Sequence, residues 1–162
     1  MRKLRKLCVA IVMVLLCGCG AGGSTDKETV SMYDLNQKME EAESSLPEML
    51  YASSEDGNAK EQFKHISDLD YDKVDSYFVS YSKEGKADEI AVIAVKDPAD
   101  AAEAKESFER HRQSRIKLLN QYEPKEVKRI EDGIIFTRGQ YAVLIICDHP
   151  DAVRKSFEDM IK

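Results

Sequence analysis

The sequence of 162 residues has no tryptophan, and three of its four cysteines lie within the first nineteen residues. Only Cys147 lies beyond them, so a domain in the rest of the chain cannot form an intramolecular disulfide and depends on its core alone. The apolar stretch near the N-terminus, residues 7–16, is ten residues long, whereas a membrane-spanning helix needs about 20 residues. These features exclude a disulfide-stapled fold and a polytopic membrane protein.

The sequence also lacks the motifs G-x-S-x-G, H-E-x-x-H, Walker A and the EF-hand loop. His65, His111 and His149 lie on three different predicted elements, so we expect no histidine metal site and no cofactor. Aspartates alternate across residues 68–75, but the glycine and terminal glutamate of a calcium loop are missing. We therefore expect a protein that is not an enzyme, with weak calcium binding at residues 68–75 as an open alternative.

The charge balance is strongly acidic once the basic N-terminus is set aside. The whole chain has a net charge of -6, and residues 1–18 hold four basic and no acidic residues. Without them, 20 basic residues face 30 acidic ones, a net charge of -10. We therefore expect no nucleic acid among its partners, because a phosphate backbone would be repelled. The hydrophobic fraction of 43% is that of a folded domain and excludes general disorder.

Residues 1–18 have the basic and then apolar layout of a bacterial signal peptide. Residues 16–19, with the sequence L-C-G-C, resemble the lipobox of bacterial lipoproteins. The resemblance implies cleavage between Gly18 and Cys19, because a small residue must precede the bond, and acylation of the Cys19 sulfur. The alternative is an ordinary secreted protein that is cleaved near Gly18 or Ala21.

This reading of the N-terminus divides the chain into three segments. Residues 1–18 are a lipoprotein signal peptide, residues 19–30 are a lipidated cysteine and a flexible polar tether, and residues 31–162 are a single domain. Through acylated Cys19 the partner is membrane lipid, so we expect location at the extracytoplasmic face of the cell membrane. Cys147 ends an apolar run, which is typical of an inert buried thiol.

The hydrophobic pattern of the domain predicts an α+β fold. We expect an antiparallel four- to five-stranded sheet from a repeated ββα unit, packed by an N-terminal helix, a long helix and a C-terminal helix. The predicted loop covers residues 52–60, and short turns are predicted at residues 61–66, where the turn is helical, and at 71–75. The predicted helices and strands cover residues 32–45, 77–82, 89–96, 97–122, 134–137 and 141–147, with a last helix from 150.

Two predicted strands are apolar at every position, residues 90–95 and 141–146. A strand with one face in water alternates apolar and polar residues, so both faces of these strands should be covered. The covering element is either the N-terminal helix or a partner.

Several segments resemble one known family. They are Leu46-Pro47-Glu48-Met49, the stretches at 88–92 and 139–144, and Tyr122-Glu123-Pro124. The chain is similar to a domain-of-unknown-function family of small lipoproteins from Gram-positive bacteria (DUF 4358-like). The resemblance covers most of residues 31–162 and implies fold and location, but no catalytic residue.

The predicted long helix contains the one cluster that suggests a site. Arg112 and Arg115 lie on the same helical face as Phe108 and Tyr122, the face that should meet the sheet. One interpretation is salt bridges to the domain's own carboxylates. The other is a site for a small anion or a protein partner, with two guanidinium groups as donors and Tyr122 as an aromatic wall.

The sequence therefore favours a non-enzymatic binding or interaction module on the membrane surface. A second hypothesis is an accessory lipoprotein that binds a small anion for a transporter. A third is a hydrolase whose site is not recognisable in sequence. A pocket near the arginines would favour the second hypothesis, a flat apolar patch would favour a protein partner, and a cleft with hydrogen-bonded carboxylates would favour catalysis.

Overall fold

A computed structural model describes residues 30–161 of the chain. The signal peptide and almost all of the tether predicted from the sequence lie outside these residues. No helix in the described part combines the length and the hydropathy that are needed to cross a membrane.

Residues 30–161 form five strands and five α-helices. The strands are β1 Met49–Ser53, β2 Val74–Ser82, β3 Glu89–Val95, β4 Ile134–Arg138 and β5 Tyr141–Ile146. The helices are α1 Met32–Glu41, α2 Ala59–Phe63, α3 Ala101–Tyr122, α4 Val127–Asp132 and α5 Pro150–Met160. The predicted α+β class and its long, N-terminal and C-terminal helices are confirmed.

The strands make one sheet in the order β1-β2-β3-β5-β4, and every neighbouring pair is antiparallel. The two predicted ββα units are present as β2-β3-α3 and β4-β5-α5. Because β5 is antiparallel to both β3 and β4, those two strands run parallel. The long helix α3 is therefore the crossover between two parallel strands that have β5 between them.

The sheet is covered on both faces. Alternate residues of β3 and β5 pack with α2, α3 and α4, namely Ala91, Ile93, Val95, Ala142, Leu144 and Ile146. The residues between them pack with α1 and α5, namely Ile90, Val92, Ala94, Val143 and Ile145. The N-terminal helix thus covers the second face, which explains why both strands are apolar at every position.

Local polar contacts determine where two of the helices begin and end. The side chain of Asp97 accepts a hydrogen bond from the Ala99 amide, but residues 98–100 form a 3-10 turn, so α3 begins at Ala101 and not at 97. The predicted N-terminal helix was too long, because α1 ends at Glu41. The buried carboxylate of Glu43 accepts from the backbone amides of Ser45 and His149, and these bonds hold the chain in a turn.

Two elements, strand β1 and helix α4, were missed in the sequence, whereas α2 overlaps a short helical turn that was predicted at residues 61–66. Strand β1 includes the first two residues of the predicted loop 52–60, and α2 begins at its end. With five residues and no clear alternation, β1 owes its conformation to pairing with β2. Helix α4 has six residues and buries the side chain of Ile130.

Gly133, which follows α4, lies against backbone. A Cβ atom at this position would stand 2.9 Å from the carbonyl oxygen of Ile145 and 3.2 Å from that of Ile130. We expect Gly133→Ala to lower the free energy of unfolding by about 1–3 kcal/mol, because backbone atoms cannot move aside. Chemical denaturation measures this change.

Gly57→Ala is the matched control, because nothing lies within 4 Å of a Cβ atom there. It should leave the free energy of unfolding unchanged or raise it by up to about 1 kcal/mol through lower entropy of the unfolded chain. Equal effects of the two substitutions would contradict the close approach at Gly133.

Candidate functional site

A buried carboxylate lies at the start of the central strand β3. Glu89 is only 3% exposed and faces α3. Its Oε1 atom lies 2.8 Å from Nε2 of His111, and its Oε2 atom bonds to the guanidinium of Arg115. Arg115 also donates to the carbonyl oxygens of Ala87 and Lys86, at 3.1 and 3.2 Å. The β2–β3 turn and α3 are thus joined through one ionic cluster.

The cluster keeps Glu89 ionised. Burial by itself would raise the pKa of Glu89, but the hydrogen bond from His111 and the charge of Arg115 outweigh it and leave the pKa below its usual value. An ionised carboxylate can only accept hydrogen bonds, so Nε2 of His111 must carry a proton. In the neutral ring Nδ1 is then an acceptor, and it makes no hydrogen bond with any residue from 30 to 161.

A cleft of about 320 Å³ lies beside this cluster, between α3 and the segment 64–68 that follows α2. His111 lines the cleft, so the ring that Glu89 orients forms part of its wall. The rest of the lining comes from two cations, one carboxylate, a second imidazole, three hydroxyl groups and one apolar residue: Lys64, Arg110, Asp68, His65, Ser67, Ser107, Ser114 and Ile66.

The hydroxyl protons in the cleft are directed to protein atoms. Ser107 donates to the carbonyl of Ala104 at 2.7 Å, so it accepts from Ser67, whose oxygen is also 2.7 Å away. Ser114 donates to the carbonyl of Arg110 at 3.0 Å. These side chains therefore present oxygen lone pairs to the cleft, and the Ser107 proton is directed away from His111.

The cations lie at the exposed rim of the cleft. Arg110 makes two hydrogen bonds of 2.7 Å to Asp68, through Nε and Nη2, and these bonds lower the pKa of Asp68. Lys64 pairs with Glu61 at 2.7 Å. Each of these two cations is thus balanced by a carboxylate, Asp68 for Arg110 and Glu61 for Lys64.

The three residues singled out in the sequence do not form one site. Arg112 bonds to Glu109 on its own helix and to the carbonyl of Gly133, whereas Arg115 points to Glu89. Tyr122 is 72% exposed at the end of α3. Both guanidinium groups thus make salt bridges within the domain.

Sequence reasoning did not find Glu89 or the lining residues on the segment 64–68. A signal was present, since His111 and Arg115 are four residues apart on a helix, a spacing that lets two side chains reach one acceptor. The acceptor could not be identified, because which strand lies under that turn is decided by the tertiary fold.

A second exposed feature lies at the edge strand β1. Tyr33 packs edge-on against Tyr51 with ring centroids 5.8 Å apart, and Tyr51 stacks on buried Phe78 at 6.2 Å. Leu50 and Tyr81 are paired across β1 and β2 and are also partly exposed, but they lie on the other face of the sheet, because neighbouring strand residues alternate between faces. The exposed pair Tyr33 and Tyr51 is the feature that suits a protein partner.

Metal ligands and reactive thiols find little support in the described part of the chain. Within it, no group of three or more histidine, cysteine or acidic side chains could hold a metal ion. In the segment 68–75, Asp68 binds Arg110 and Asp70 caps a 3-10 turn. Cys147 is buried, and burial raises the pKa of its thiol to about 12, so it stays protonated.

Replacing the buried carboxylate tests the cluster. We expect Glu89→Gln to lower the free energy of unfolding by about 3 kcal/mol at neutral pH, because it leaves Arg115 without its counter-charge. Glu158→Gln, which breaks an exposed pair with Arg154, should cost less than about 1 kcal/mol. Urea denaturation of both variants makes the comparison, and similar losses would contradict a special role for Glu89.

The loss of unfolding free energy in Glu89→Gln should also depend on pH. Because the folded-state pKa of Glu89 lies below the ordinary glutamate value of 4.5, ionised Glu89 stabilises the fold fully above about pH 4.5. This stabilisation disappears as the pH falls through the folded-state pKa. The difference in unfolding free energy between wild type and Glu89→Gln should therefore shrink below about pH 4.5. A difference that grows on acidification would contradict the lowered pKa.

Comparison with known proteins gives one match. A family model described as a domain of unknown function (DUF4358) matches residues 47–147, from Pro47 to Cys147. The matched part contains all five strands and the cleft, and it leaves out α1 and α5. No curated protein and no solved structure matches the chain. Because the match covers more than half of its length, the chain belongs to the DUF4358 family.

Proposed function

We propose that this protein is a lipid-anchored binding module at the extracytoplasmic face of the cell membrane, and that it is not an enzyme. One observation carries the binding role. A cleft of about 320 Å³ contains an imidazole held in position by a buried, ionised carboxylate. A fixed ring in a preformed cleft is the arrangement of a ligand site, because little order has to be gained on binding.

The location is supported by the sequence of the N-terminus. The residues L-C-G-C at 16–19 follow a basic and then apolar leader. Two acyl chains on Cys19 would contribute about 0.8 kcal/mol for each buried methylene group, which is enough for lasting retention. The polar, glycine-containing segment up to residue 30 would then separate the domain from the lipid headgroups.

The hydrogen bonds in the cleft support binding over catalysis. An imidazole beside a carboxylate can act as a general base, but hydrolysis through a serine needs the hydroxyl to donate to that imidazole. The Ser107 proton is instead donated to the carbonyl of Ala104. The hydrolase hypothesis is thus the weaker one.

The second candidate is an accessory protein that binds a small anion for a transporter. Arg110 and Lys64 line the cleft and are the cations that such an anion would contact, in competition with Asp68 and Glu61, which pair with them. The apolar surface around Tyr51 favours a protein partner instead. An assay that compares the uptake of small anions by cells with and without the gene separates these two roles.

The proposed acylation can be tested by replacing its acceptor, the sulfur atom of Cys19. We expect the full-length protein to sediment with membranes and its mature N-terminal peptide to carry acyl chains on Cys19. Cys19→Ser should abolish both the acyl mass and the processing at this site, because serine offers no thioether sulfur. Mass spectrometry and membrane fractionation of the native host's protein measure the two effects.

Cys17→Ser is the matched control, since it removes a cysteine two residues away and leaves the acceptor intact. It should behave as wild type in both measurements. A mature chain that has an unmodified N-terminus and stays in the aqueous fraction would contradict the proposed location.

A further inference from the structure

We propose that the outer edge of strand β1 binds an extended, apolar segment of a partner protein that has a lysine or arginine at one end. The segment would add one strand to the five-stranded sheet. This inference rests on the proposed binding role and names the chemistry of the partner, but it concerns a surface that is separate from the cleft.

Hydrogen bonds at the two ends of β1 show which way its backbone is turned. The amide of Lys83 donates to the carbonyl of Glu48, just before the strand. The amide of Ser54, just after the strand, donates to the carbonyl of Tyr77. In an antiparallel pair, residues that bond across to the neighbouring strand alternate with residues whose backbone groups point away from it. The even-numbered residues of β1 therefore bond to β2, and the amides and carbonyls of the odd-numbered ones are directed outward.

The outward backbone groups of β1 are those of Met49, Tyr51 and Ser53. The Ser53 amide donates to the side chain of Asp56 at 2.8 Å. The amides and carbonyls of Met49 and Tyr51 make no hydrogen bond with any residue from 30 to 161. Because an extended peptide can pair with such groups and continue the sheet, they supply the main-chain bonds of a strand-addition site.

The sequence of β1 does not protect this edge. Natural sheets discourage the addition of strands by placing charged residues or proline in their edge strands. Residues 49–53, M-L-Y-A-S, contain neither. The edge strand on the other side, β4, ends in exposed Arg138, and Arg154 lies over the ring of Phe136 at 4.7 Å. The two edges thus differ, and β1 is the better template for a further strand.

Apolar side chains lie beside this edge on both faces of the sheet. Tyr51, which packs against Tyr33, is exposed on the face that α1 covers. Leu50 is exposed on the opposite face, beside Tyr81. Successive residues of an added strand alternate between the two faces, so neighbouring apolar residues would meet Tyr51 on one side and Leu50 on the other. The partner segment should therefore be apolar at consecutive positions.

The charge at the end of β1 favours a basic residue in the partner. Glu55 and Asp56 follow the strand, are exposed, and form no salt bridge within residues 30–161. Burial raises the pKa of Tyr51, and the charges of Glu55 and Asp56 raise it further because both carboxylates lie near its ring. At the other end, Glu48 is already paired with Lys83. A lysine or arginine beside Glu55 and Asp56 would complement the unpaired charge, whereas an acidic segment would be repelled.

Four peptides separate the backbone, apolar and charge requirements. We would titrate the full acylated protein in detergent micelles against fluorescein-labelled K-T-V-I-V-T-K and follow the fluorescence anisotropy, with protein-free micelles as the background. The other peptides are the same sequence with methylated interior amides, E-T-V-I-V-T-E, and K-T-S-S-S-T-K. We expect saturable binding of the first peptide and at least tenfold weaker binding of the others, because each lacks one requirement.

A pair of double variants places the binding at β1. Leu50→Lys with Tyr51→Lys puts two charges on the edge strand and should weaken binding of the first peptide at least tenfold. The control, Leu118→Lys with Tyr122→Lys, makes the same exchanges at two exposed residues of α3. It should leave the affinity within about twofold of wild type, because α3 is not part of this edge. Circular dichroism checks that both variants are folded.

A milder variant keeps the test decisive if the two lysines disturb the fold. Glu55→Gln removes one exposed charge and should narrow the ratio of affinities for the lysine and glutamate peptides about threefold, the size of one exposed ion pair. Glu158→Gln on α5 is its control, because it removes an exposed carboxylate away from β1. This control should leave the ratio unchanged.

Four results would overturn the proposed partner. They are binding of the methylated or the glutamate peptide as tight as that of the first peptide, equal losses in the two double variants, no binding of the first peptide, and a dimer in sedimentation that Leu50→Lys with Tyr51→Lys dissociates. The last result would make a second copy of the chain the occupant of the edge. The acylation experiment on Cys19 is independent of these titrations. An acylated protein that binds no peptide would lose the proposed partner and keep the proposed location.

Discussion

The structure depends on a sheet whose two central strands are buried on both faces. Strands β3 and β5 have apolar side chains on both sides, so helices must pack on each face to shield these side chains from water. Helix α3 satisfies this need on one face, and α1 with α5 satisfies it on the other. The presence of helices on both faces thus follows from the burial that the strands require.

The same constraint explains why a charge is buried next to the core. Glu89 is the first residue of β3 and faces α3, at a point where the helix continues past the end of the strand. Burying a carboxylate alone would be costly, so the helix supplies His111 and Arg115 four residues apart to pair with it. The pairing also fixes the ring of His111 in the wall of the cleft. A contact that the fold needs therefore orients a side chain of the candidate site.

Much of the fold could be predicted from the sequence, and much of the site could not. The strands β3 and β5 and the start of α5 were predictable because fully apolar runs and an early proline are local signals. Strand β1 was not, since its conformation comes from pairing with β2. The site combines Ser67 and Ser107, which are forty residues apart in the chain. Hydrogen bonds between side chains so distant in sequence depend on tertiary packing and produce no periodic pattern in the sequence.

The start of the described chain and the candidate site lie on opposite faces of the sheet. The described chain begins at Val30, and α1 packs on the face opposite α3. The cleft is formed by α3 and the segment 64–68 on the other face. The described chain therefore begins on the face of the sheet that is opposite the cleft. If the protein is anchored through its N-terminus as proposed, attachment and ligand binding use different faces of the sheet.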